Sequence, residues 1–81
     1  MKEYQFFVLA GTEHAEKIKR DIRVIRSNHN NAVVIINYIY YYDDENKYPK
    51  LKIKEEKGDM EEYVGEEVEK KILVLLSSCK N

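Results

Sequence analysis

The sequence predicts an α+β fold, a two-layer sandwich with two helices on one face of a sheet, and three stretches carry that prediction. The first is Asn31 to Tyr42, NAVVIINYIYYY, in which Val33, Val34, Ile35, Ile36 and Ile39 are β-branched and Tyr38, Tyr40, Tyr41 and Tyr42 are aromatic. Both classes fit a pleated, half-buried surface, and the stretch reads as the central strand. The second is the segment after Thr12, where Ala15, Ile18, Ile22 and Ile25 recur at helical spacing. The third is Lys50 to Glu55, where Leu51 and Ile53 alternate with Lys50, Lys52 and Lys54 as in a strand with one charged face.

In chain order, Glu3 to Ala10 (EYQFFVLA) is a first strand closed by Gly11. Thr12 caps the first helix, whose acidic start (Glu13, Glu16) and basic end (Lys19, Arg20, Arg23, Arg26) suit the helix dipole, and Asn28 to Asn31 stops it. In the central strand, alternation places Val34, Ile36, Tyr38, Tyr40 and Tyr42 on one face and Val33, Ile35, Asn37, Ile39 and Tyr41 on the other. Asn37 is costly to bury unpaired, which marks its face as the outer one. The polar turn Asp43 to Pro49 then leads into Lys50 to Glu55, and the two strands are expected to form a hairpin with the lysines at a sheet edge.

Gly58 breaks that strand. Asp59 with Glu62 reads as a capping-box variant opening a second helix, with Met60, Tyr63, Val64 and Val68 on its apolar stripe and Gly65 weakening it by about 1 kcal/mol. Ile72 to Leu76 is apolar at every position and reads as a buried last strand. Val68, Ile72, Leu75 and Cys79 also fit one helical stripe, which leaves three strands and a longer C-terminal helix as the alternative. The resulting order β-α-β-β-α-β, in a single domain spanning residues 1–81, is that of a ferredoxin-like sandwich.

A chain of 81 residues buries only about 60% of its unfolded surface, so self-association would add useful core. The net charge of −1 with 36% charged residues lacks the basic excess of a typical nucleic-acid binder. The apolar run Ile72 to Leu76 falls far short of the roughly 20 residues that cross a bilayer, and the start has no apolar signal region, so no membrane partner and a cytoplasmic location are expected. Cys79 is the only cysteine, which excludes a disulfide or thiolate metal cluster within one chain. His14 and His29 have no further ligand at metal spacing, so no metal is expected. Trp is absent, Gln occurs only at Gln5, and Lys, Glu, Ile, Tyr and Asn are heavily used. That usage suggests an AT-rich genome and a warm habitat, and in composition, though in no motif, the chain resembles the small orphan proteins of viruses of thermophilic archaea, a resemblance that implies no activity.

The turn Ala10-Gly11-Thr12 leads into a helix N-terminus, but neither a dinucleotide fingerprint nor a phosphate-loop lysine accompanies it, and no cofactor is expected. Glu13 with Lys17 and Glu16 with Arg20 are i,i+4 pairs of a solvated helix face. The carboxylates Asp43, Asp44, Glu45, Glu61, Glu62, Glu66, Glu67 and Glu69 read as surface, and Ser77 and Ser78 lack a histidine pattern, so the chain is not expected to be an enzyme. Two surfaces remain. Val33, Ile35, Asn37, Ile39 and Tyr41 form an apolar outer face suited to a homodimer or another protein. Tyr38, Tyr40 and Tyr42 with Lys50, Lys52 and Lys54 suit nucleic acid, in the manner of RNA-recognition domains that stack bases on an open sheet, although KLKIKEE has none of their Gly-aromatic signature. A ligand-sensing regulatory domain is the third reading.

Overall fold

The structure, a computed structural model, describes residues 1–77. Its elements are β1 (Lys2–Leu9), α1 (Glu13–Asn28), β2 (Ala32–Ile39), β3 (Lys50–Lys54), β4 (Met60–Val64) and α2 (Glu66–Ser77). They form an α+β two-layer sandwich, with a mixed four-stranded sheet in the order β2-β1-β3-β4 and both helices packed on one face. β1 pairs parallel with β2 and antiparallel with β3, and β4 closes an antiparallel hairpin with β3.

The core lies between the layers. Tyr4, Phe6 and Val8 of β1 alternate inward beside Val34 of β2 and Leu51 and Ile53 of β3. Ala15, Ile18, Ile22 and Ile25 of α1 and Val68, Ile72 and Leu75 of α2 close over them. The Thr12 hydroxyl accepts the Ala15 N–H at 3.1 Å and donates to the Leu9 carbonyl at 2.8 Å, which locks the first strand-to-helix turn, while Gly11 supplies the left-handed backbone (φ 84°). At the other end His29 ties the helices together. Its Nε2 lies 3.0 Å from the Leu75 carbonyl oxygen, and its ring meets Tyr4 edge-on at 6.0 Å. A carbonyl only accepts, so Nε2 carries a proton there.

The second half of the chain departs from the expected order, running β-β-α instead of β-α-β. Met60–Val64 is a strand, because the boundary is set by Gly65 in the left-handed region (φ 61°): the residue expected to weaken a helix separates β4 from α2. Ile72 to Leu76 lies inside α2. Nothing between Lys71 and Ile72 interrupts the helix, and a stripe of Val68, Ile72 and Leu75 suffices for burial while Leu73 and Val74 stay exposed. The β2–β3 hairpin is also corrected, since β3 pairs with β1 and the true hairpin is β3–β4. β2 is accordingly an edge strand, not the central one, and it ends at Ile39. The position of Cys79 lies outside the described residues.

Candidate functional site

The side of the sheet away from the helices is covered by no helix or strand among the described residues, although the link after β2 reaches its Lys50 end, where Lys50 donates to the Asn46 side-chain carbonyl at 3.4 Å and lies 5.8 Å from the centre of the Tyr48 ring. Along it β2 presents Val33, Ile35, Asn37 and Ile39, and β1 presents Glu3, Gln5, Phe7 and Leu9, each β1 residue in register with its β2 neighbour. β3 adds Lys50, Lys52 and Lys54, and β4 adds Met60, Glu62 and Val64. The face thus divides into an apolar strip on β2–β1 and a charged strip on β3–β4. The Lys52 ammonium lies 5.5 Å from the centre of the Phe7 ring, and Lys50 pairs with Glu62 at 3.7 Å. Asn37 donates to the Phe6 carbonyl at 3.4 Å, so its amide does not oppose cover by an apolar partner.

Of the expected interface set, Val33, Ile35, Asn37 and Ile39 share this face, and Val33 keeps 42% of its surface exposed. Tyr41 does not join them, because it lies beyond the end of β2. Nor do the residues of the nucleic-acid set form one surface. Tyr38 points toward the helices and packs on the core, whereas Lys50, Lys52 and Lys54 point away from them. Tyr40 and Tyr42 stand 76% and 73% exposed in the link after β2.

That link is organised by Asp43, whose carboxylate accepts the Glu45 N–H at 2.9 Å and the Asn46 side-chain amide at 2.6 Å. The Glu45 N–H, and after it the Asn46 amide, hold the Asp43 carboxyl below its ordinary value of 3.8. A lowered carboxyl contributes stability above that value and loses it as pH falls through the folded value. Carbon-detected titration of Asp43 should therefore show a midpoint below 3.8 and a loop that loosens only in stronger acid. A midpoint at or above 3.8 would show these hydrogen bonds absent in solution.

The remaining polar groups assemble no reactive constellation among the described residues. Glu69 in the first turn of α2 meets His14 at 3.0 Å and Lys17 at 4.0 Å, and Lys17 also reaches Asp21 at 3.3 Å, in place of the expected Glu13 and Glu16 pairings. Glu61 accepts the Tyr63 hydroxyl at 2.9 Å and thereby raises the tyrosine pKa. A cleft of about 210 Å³ beside Leu9, Thr12, His14, Tyr48 and Pro49 brings a histidine near the Gly11 turn, but the Thr12 oxygen is engaged in the cap and Glu13 and Glu16 fill the first turn. Ser77 donates to the Val74 carbonyl. No group of three or more His, Cys, Asp or Glu among the described residues could hold a metal ion, and no helix there is long and apolar enough to cross a membrane.

One feature of the site has no local signature in the sequence: Arg26 of α1 reaches the free edge of β2, where Nε and Nη2 donate to the Val34 carbonyl at 3.1 and 2.9 Å. Only the pairing of β2 with β1 shows which edge is free. Compared with protein-family models, curated proteins and solved structures, the chain matches none.

Proposed function

We propose that the protein is a non-catalytic interaction module that forms a homodimer by packing the open faces of two sheets together. The supporting observation is the strip of Phe7, Leu9, Val33, Ile35 and Ile39, five apolar side chains on a face that no element of the described chain covers. Two copies related by a two-fold axis bring strip against strip, each hiding the other. Burial at about 25 cal/mol per Å² favours the contact, and lost rotational and translational freedom takes back several kcal/mol. The nucleic-acid reading receives less support, because Tyr38 lies on the face opposite Lys50, Lys52 and Lys54, and Tyr40 and Tyr42 lie beyond the end of β2. The test is Ile35→Lys, which places a charge in the middle of the strip without entering the core. Light scattering on a sizing column should report a dimer for the wild type and a folded monomer for the variant. A wild type that is monomeric at high micromolar concentration would end this reading.

A further inference from the structure

The geometry points to the free edge of β2 as a docking site for an extended acidic peptide, a surface separate from the open face. In a strand, successive residues turn their N–H and C=O to opposite edges. The Ile39 carbonyl accepts from Ala10 at 2.9 Å and so faces β1, which turns Val34, Ile36 and Tyr38 outward. The Val34 carbonyl is engaged by Arg26, whereas the backbone groups of Ile36 and Tyr38 meet no partner among the described residues. This edge also lacks the usual protection. From Ala32 to Ile39 there is neither a charged residue nor a proline, while the opposite edge, β4, carries exposed Glu61 and Glu62.

The occupant is indicated by charge. Lys19, Arg23 and Arg26 recur at helical spacing along one flank of α1, away from the flank that carries His14 and Lys17 to α2. Arg26 fixes that flank beside the β2 edge, and Lys19 and Arg23 enter no ion pair among the described residues. α1 runs back along the strands, so with rises of about 1.5 Å per helix residue and 3.3 Å per strand residue Arg23 and Lys19 lie about level with Ile36 and Tyr38. The ridge therefore flanks the unpaired backbone groups. A peptide added as a fifth strand pairs with Ile36 and Tyr38 and turns every second side chain toward the ridge, at intervals of about 6.6 Å against about 6 Å for a helical i,i+4 step. Carboxylates at those alternate positions meet Lys19 and Arg23. A second copy of β2 is disfavoured in the same place, because it would set two such basic ridges side by side.

The probe is an end-capped peptide of alternating valine and glutamate, titrated into isotope-labelled protein. Amide shifts should centre on Ile36, Tyr38 and the Lys19 to Arg26 flank. Affinity should fall about tenfold when lysine replaces glutamate in the peptide, when alternate peptide nitrogens are methylated, and in the Lys19→Glu/Arg23→Glu protein, whose changes lie on an exposed helix surface. Equal binding of the methylated peptide or of oligothymidylate would show a general polyanion site and overturn the proposal. So would the absence of shifts at millimolar peptide.

Discussion

Replacing Phe6 by alanine is expected to lower folding stability by about 3–5 kcal/mol. The ring is fully buried on the middle of β1, in register with Ile36 on one side and Leu51 on the other, and it belongs to the core that α1 and α2 close. Truncation leaves a cavity in the core between the sheet and the helices, which cannot collapse without moving one layer. A domain of 81 residues has roughly 4–12 kcal/mol of stability in all, so the variant should be largely unfolded at the lower end of that range. Urea denaturation followed by circular dichroism measures it, and a loss under about 1.5 kcal/mol would place Phe6 outside the core.

The second large effect separates two conformations of one segment. Ile72→Ala should cost about 2–5 kcal/mol and Leu73→Ala within about 0.5 kcal/mol, because in α2 Ile72 is buried and its neighbour is 63% exposed. A strand covered on both faces would make the two losses comparable. Amide exchange gives the independent reading: protection through residues 72–76 should follow i to i+4 helical bonding.

These two sites also show how far the sequence could be read. The aromatic and aliphatic run Glu3 to Ala10 closed by Gly11, the Thr12 cap and the stripe Ala15, Ile18, Ile22, Ile25 are local signals, and β1 and α1 follow them closely. The two faces of β2 were legible for the same reason, with Asn37 marking the outer one. What was not legible depends on distant partners. ILVLL can be a buried strand or one turn of an amphipathic helix, and only the space above β3 and β4 decides. MEEYV shares a helical stripe with Val68 and follows a capping-box pattern at Asp59 and Glu62, and only the positive φ of Gly65 separates it from α2. The rank of each strand in the sheet has no local signature either. β2, in which Asn37 alone is polar, is more apolar than β1, which carries Lys2, Glu3 and Gln5, yet β1 has two neighbours and β2 has one. The gathering of Val33, Ile35, Asn37 and Ile39 followed from alternation alone, whereas Tyr41 was lost because β2 stops two residues earlier.

The central place of β1 has a consequence for the order of events during synthesis. Tyr4, Phe6 and Val8 lie at the start of the chain, but their neighbours on one side arrive with Val34 to Tyr38 and on the other with Leu51 and Ile53. At roughly 5–20 residues per second, the first strand emerges from the ribosome seconds before its second partner exists. Its pairings join residues far apart in sequence, so folding should be slower than in a helical bundle of equal size. The nascent chain therefore passes through a stage in which β1, α1 and β2 can assemble but one edge of β1 stands open, and chaperone capture should concentrate there.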